Sequence, residues 1–210
     1  MSGELVFGGK PLHRALDDIR RYCGLSWSGG APEVFAYPYF DALEERIEDD
    51  EIRPVDVLAA SVLHPGLRKR DLTYFVQHRL ELRDELEMLP SGLDLADASA
   101  RVVERLTSLG SRVHPDCGLA LLTKVLHTKR PKLVPMLDRA LTDCYRRSTG
   151  GRGESVWGEC VRLFRDDLVK EANRAELTGL QTRLRAELGE RVPSALRLAD
   201  VAIWMAAGER

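Results

Sequence analysis

Aromatic side chains are scarce in this chain, at 6% of residues. Long apolar runs are missing as well. The most apolar stretches, such as Val55 to Leu63, fall far short of the twenty or so residues that span a bilayer, so no membrane segment is expected. Four cysteines (Cys23, Cys117, Cys144, Cys160) lie far apart with no Cys-x-x-Cys pair, the pattern of reduced thiols rather than a disulfide framework. Met1-Ser-Gly-Glu lacks the basic start of a secretory leader, and with the thiols this predicts a cytoplasmic protein. Phosphate-loop, dinucleotide and Gly-x-Ser-x-Gly signatures are absent; Gly150-Gly-Arg-Gly153 lacks the Lys-Ser/Thr ending and follows no strand. His114 and Cys117 have ligand-like spacing, with Cys144 or His127 within consideration. A closed zinc site needs four ligands, so buried structural thiols are the better explanation, and neither metal nor cofactor is expected.

What remains is a chain of 210 residues, 44% hydrophobic and 30% charged, enough for one well-buried domain. Its net charge of −2 hides an asymmetry. Residues 41–56 and 81–87 are rich in acids. From 123 to 153, Lys124, Lys129, Arg130, Lys132, Arg139, Arg146, Arg147 and Arg152 face only Asp138 and Asp143. A local basic region suggests an anionic partner; a solvated face on an ordinary arginine-rich protein is the plainer explanation.

Helical periodicity dominates from Tyr39 onwards. Residues 1–38 read as irregular apart from a helix over Leu12 to Cys23, and Val34 to Phe40 as a short strand or a lead into the next helix. The pattern then predicts an acidic helix through Phe40, Leu43 and Ile47, and a helix opened by Pro54. A longer helix runs from Asp71 to Met88, and another, capped by Ser91 or Asp94, to Leu109. Asp116 is placed as the N-cap of a helix through Leu126, and a further helix covers Val134 to Arg147. Three more follow, the last opened by Pro193-Ser194. Some nine helices with short connections define an all-α, multi-helix domain over 1–210, with a possible subdomain break at Gly150–Gly153. Oligomeric state is left open.

The richest stretch runs from Leu122 to Arg139. A helix ends at Leu109-Gly110, the chain turns through Ser-Arg-Val-His-Pro115-Asp-Cys-Gly118, and a second helix starts: a helix-hairpin-helix-like element. A helix start presents unpaired N–H groups that suit a phosphate, and such a hairpin can grip a nucleic-acid backbone without reading sequence. Lys124, His127, Lys129, Arg130, Lys132 and Arg139 would extend that grip. Pro131 and Pro135 stiffen the passage and set where Asp138 points. A carboxylate fixed there can stabilise developing positive charge or activate a water; capping the helix 139–147 is the plainer role for it. A histidine placed like His127 is more often a polar rim residue than a base, and Lys124 reads also as a snorkelling lysine on a mostly buried helix.

Two resemblances attach to these residues. Thr123-Lys124-x-Leu126-x-x-Lys129-Arg130-Pro131-x-Leu133-x-Pro135-x-x-Asp138 resembles the signature of an uncharacterised bacterial family best represented in actinobacteria. Val55 to Leu63 and Arg197-x-x-Asp200-x-x-x-Trp204 resemble its other anchors. More distantly, His114-Pro115-Asp116-Cys117-Gly118 and Val134-Pro135-Met136-Leu137-Asp138 are similar to the hairpin and catalytic approach of helix-hairpin-helix DNA glycosylases. That resemblance implies a DNA partner, Pro115 and Gly118 in the hairpin, and Asp138 as the catalytic carboxylate of a monofunctional N-glycosylase. It also implies an aromatic-lined pocket for a flipped base, for which Tyr145, Trp157 and Trp204 are the candidates. The chain departs from that pattern at Asp116, which replaces a hairpin glycine. Ala120 stands near the position of the Schiff-base lysine, with Lys124 a turn further on, and no iron–sulfur cysteine cluster is present. A non-catalytic binding module, with 123–139 as a structural latch, is the competing expectation.

Overall fold

A computed structural model describes residues 4–25, 36–43, 49–64, 66–109, 117–149 and 154–208. The hairpin residues 110–116, including Pro115 and Asp116, lie outside these, as do 44–48 of the expected acidic helix and the turn 150–153.

The described residues form ten α-helices and one small two-stranded hairpin, so the all-α expectation holds in its main terms. The hairpin corrects the irregular reading of the N-terminal segment. β1 (Leu5–Phe7) pairs antiparallel with β2 (Lys10–Leu12) around Gly8-Gly9, both at positive φ. Glycine tolerates that tight reversal, and Gly8 is fixed further because a Cβ there would come within 2.5 Å of the Cys144 carbonyl oxygen. Side chains of the later helices tie the hairpin down. Asn173 Oδ1 accepts from Val6 N at 2.9 Å, its Nδ2 donates to Val6 O at 2.7 Å, and Asp167 Oδ2 accepts from Gly8 N at 2.7 Å.

The helices follow as α1 (Ala15–Tyr22), α2 (Pro54–Val62), α3 (Lys69–Gln77), α4 (Arg79–Glu87), α5 (Ala100–Ser108), α6 (Leu119–Lys129), α7 (Arg139–Thr149), α8 (Glu154–Leu168), α9 (Glu171–Leu188) and α10 (Ala195–Gly208). Four boundaries differ from expectation. Tyr37–Tyr39 is a short 3-10 turn rather than a strand. The single helix from Asp71 to Met88 is two, broken at His78, whose backbone leaves helical geometry. Asp71 is not a start signal but the third residue of α3, where its carboxylate accepts from Arg68 N at 2.7 Å as half of a capping box. α5 begins only at Ala100, with Ser99 as its cap, because 95–97 form a separate 3-10 turn. α7 begins at Arg139, leaving 130–138 as an irregular passage.

One main core joins these elements, with Phe7, Ile19, Leu86, Leu106, Leu121, Trp157 and Leu180 sealed from solvent. α10 packs against α1, α7 and α9, α2 against α6, and α5 and α7 against α8. A smaller cluster of Phe40, Ala59 and Met136 lies beside it, between the 36–43 turn, α2 and the 130–138 passage.

Candidate functional site

α6 is closed on nearly every side: residues Leu121 to Lys129 are all buried. An apolar helix could do that at little cost, but this one carries Thr123, Lys124, His127, Thr128 and Lys129, followed by buried Arg130. Buried polar groups are costly unless paired, so each must have a partner.

Thr123 Oγ1 accepts a hydrogen bond from Leu137 N at 3.1 Å. His127 Nδ1 lies 2.7 Å from Val134 O, which can only accept; Nδ1 therefore carries a proton, and the ring stacks on Phe40. These two bonds pin both halves of the 130–138 passage to α6. Lys129 Nζ, with its side chain fully closed off, lies 2.7 Å from Asp56 Oδ2 and 3.2 Å from Asp49 Oδ1. Asp56 also closes the first turn of α2 by accepting from Arg53 N at 2.6 Å. Arg130 donates from Nε to Leu89 O at 2.7 Å, from Nη2 to Leu86 O at 2.8 Å and from Nη1 to Asp49 O at 3.1 Å, and it pairs with Asp50. It thereby satisfies two carbonyls at the C-terminal end of α4 and just beyond.

The basic grip expected along this stretch is corrected accordingly. Lys129 and Arg130 are internal ties to the acidic segment 49–56. Lys124 is also buried and gives its Nζ to Leu63 O, at the end of α2, at 2.6 Å. His127 is a buried pin rather than a rim residue. Lys132 and Arg139 do stay exposed, Arg139 with 91% of its side chain open and only a 3.6 Å approach to Asp143. Gly118 stands at the N-cap of α6 with extended backbone.

Asp138 ends the pinned passage. It is half-buried and caps α7, its Oδ1 accepting from Leu141 N at 2.9 Å. It acts electrostatically on both Lys124 and Asp200. Burial lowers the Lys124 ammonium below its ordinary value, against the opposing pull of Asp138 and Asp200. Behind this group lies a closed cluster that sequence reasoning missed. Arg197 donates from Nε to Asp41 Oδ1 at 2.6 Å, from Nη1 to Asp200 Oδ2 at 2.5 Å and from Nη2 to the Tyr22 hydroxyl at 2.6 Å. Tyr22 in turn donates to Asp41 Oδ2 at 2.5 Å. Burial raises Asp41, but Arg197 and Tyr22 outweigh it and hold the carboxyl below its usual value. Burial raises Asp200 to about 7, with Asp138 adding to the rise and Arg197 opposing it. The signal for this cluster was an Arg-x-x-Asp pair inside Leu196 to Ile203, where a charge in an apolar helix demands a partner.

The three aromatic candidates do not share a wall. Tyr145 and Trp157 are sealed in the core, the first donating to Asp167 Oδ2 and the second to Leu106 O, both at 2.8 Å. Trp204 is 43% exposed and packs edge-on against Tyr22. A groove of about 300 Å³ opens elsewhere, between the hairpin, α1, α7 and α10. Lys10, His13, Arg14, Asp18, Ala140 and Asp143 border it; Asp138 does not line it, although its α7 wall starts two residues later.

Among the described residues no group of three or more His, Cys, Asp or Glu is disposed to hold a metal, and no helix is long and apolar enough to cross a membrane. Cys23, Cys117, Cys144 and Cys160 are free thiols.

These features define a mostly helical domain in which Thr123, Lys124, Lys129, Arg130, Arg197 and Asp200 of the signature stretches are buried and hydrogen-bonded. Residues 15–207 match a single family model, and the chain belongs to DUF6308, a family of unknown function. Neither the curated proteins nor the solved structures give a match.

Proposed function

We propose that the chain is a hydrolase of N-glycosidic bonds acting on DNA, with Asp138 as its carboxylate. The observation that carries this reading is how Asp138 is held. Thr123, His127, Lys129 and Arg130 fix the passage that leads to it, and the passage ends in a half-open carboxylate that acts electrostatically on Lys124 and Asp200. Costly buried polar groups spent on orienting one carboxylate are what a preorganised centre requires. Exposed Arg139 and Lys132 on the same stretch suit a phosphate backbone. In this reading the bond from C1′ to the base nitrogen breaks, the base leaves with the bonding electrons, and Asp138 stabilises the oxocarbenium character of the sugar. Water then adds at C1′ and gives up one proton, which balances the departing base.

A non-catalytic binding module is the second reading, favoured by the bond from Leu141 N to Asp138 Oδ1, which gives the carboxylate a structural task. Duplexes carrying damaged or mismatched bases separate the two. The hydrolase reading expects base release by the wild type and loss of release in Asp138→Ser, which keeps a capping oxygen. Binding without release by the wild type favours the module; no binding even at low salt rules out DNA.

A further inference from the structure

The cluster beneath α10 does not balance in charge. Its hydrogen-bonded charges are two carboxylates, Asp41 and Asp200, against one guanidinium, Arg197. Arg197 spends Nε and part of Nη2 on Asp41, gives Tyr22 the rest of Nη2, and leaves only Nη1 for Asp200. Lys124 gives its Nζ to Leu63 O, and among the described residues the cation within ion-pair distance of Asp200 is Arg197. Arg197 and Asp200 are closed off from solvent, and a buried, incompletely matched carboxylate beside a like charge favours its neutral form. One proton restores neutrality, and of the two carboxylates that share Arg197 the weaker hold is that of Asp200, with one guanidinium bond against two, and the Tyr22 hydroxyl, for Asp41.

We propose that this cluster holds one exchangeable proton on Asp200, and that losing it loosens α10 from α1 and α7, two of the helices it packs against. The groups acting on Asp200 come from several elements: Tyr22 from α1, through Arg197; Asp41 from the 36–43 turn, directly and through Arg197; Lys124 from α6; Asp138 from the cap of α7; and Arg197 from α10 itself. His127, also on α6, acts on Asp41. Ionised Asp200 adds a second closed-off negative charge to the one guanidinium it shares with Asp41, and half-buried Asp138 adds a like charge. α10 bears both Arg197 and Asp200, so it is the element that must give. This inference does not depend on any base-release activity.

The sign follows from linkage. Asp200 titrates at about 7 in the folded chain, against ~4 for an unperturbed aspartate. The folded state therefore keeps a proton that the unfolded state has released, and stability from this group falls as pH rises between those values and levels off above them.

The test is urea unfolding of the full chain from pH 5 to 8, for wild type, Asp200→Asn and Asp138→Asn. Relative to Asp200→Asn, the wild-type unfolding constant should rise by up to about tenfold per pH unit, flattening above neutrality. Asp138→Asn removes the like charge and should move the flattening to lower pH. Identical pH dependence in wild type and Asp200→Asn overturns the proposal. If Asp200→Asn does not fold, a carbon-detected titration of the wild-type Asp200 carboxyl decides: a step near neutrality supports the proposal, and a flat trace from pH 5 to 8 overturns it. The loosening is read by hydrogen exchange of the α10 amides. Above pH 7 these should lose protection in the wild type beyond the intrinsic pH effect, and unchanged protection contradicts that part.

Discussion

Lys129 Nζ and Asp56 Oδ2 lie 2.7 Å apart, with both side chains closed off from solvent. This pair ties the end of α6 to the first turn of α2 and decides how the 130–138 passage leaves the helix. Replacing Lys129 by Met leaves Asp56 buried without its cation, while Asp56 keeps its bond from Arg53 N. The expected loss is about 3 kcal/mol, because removing one partner of a buried pair strands the other charge. Urea unfolding near neutral pH measures it, and a loss under 1 kcal/mol would show that the pair is not closed in solution.

Capping by Asp138 has its own measurable size. Asp138→Ala should destabilise the chain by about 1 kcal/mol, and Asp138→Ser or Asp138→Asn by less, since serine and asparagine can also accept the N–H of Leu141. Thermal unfolding of the three variants should reproduce that order.

The two turn glycines should differ sharply. Gly8→Ala meets both a positive φ and the Cys144 carbonyl at 2.5 Å, whereas Gly9→Ala meets only a positive φ, with nothing within 4 Å. About 1 kcal/mol is expected for Gly9→Ala, and about 3 for Gly8→Ala, where backbone must move as well. Equal losses would mean the hairpin does not dock on α7 as described.

Thiol reactivity follows from burial. Burial pushes Cys23 and Cys117 up to about 12 and Cys160 up to about 11, with the neighbouring carboxylates Asp41, Asp71 and Glu159 adding to the rise. Alkylation at pH 8 should be slow at these three in the folded chain and fast in urea, since the thiolate is the reacting form. Peptide mass mapping after a timed iodoacetamide pulse checks this site by site.

Helix content was legible because the apolar spacing from α2 to α10 keeps one period. The strands were not, since three residues on either side of Gly8-Gly9 give too little alternation to read. The break at His78 was hidden because Leu72, Phe75, Leu82 and Leu86 continue a plausible stripe across it. Asp138 as a cap could be read from its position, because capping is local chemistry. Lys129 and Arg130 could not be read as internal: their acidic partners lie some 80 positions earlier, and sequence alone shows a basic run without saying what faces it. The Tyr22–Asp41–Arg197 cluster joins residues up to 175 positions apart and was hidden for the same reason.

The most direct measurement is base release from lesion-bearing duplexes by wild type, Asp138→Ser and Asp138→Ala, at matched folded fraction. The wild type should free a base, and Asp138→Ser should keep near-wild-type stability while losing release by at least about a hundredfold, as Asp138→Ala does. Release by Asp138→Ser at the wild-type rate would contradict a catalytic Asp138, and no release by the wild type from any duplex would leave Asp138 as the cap of α7.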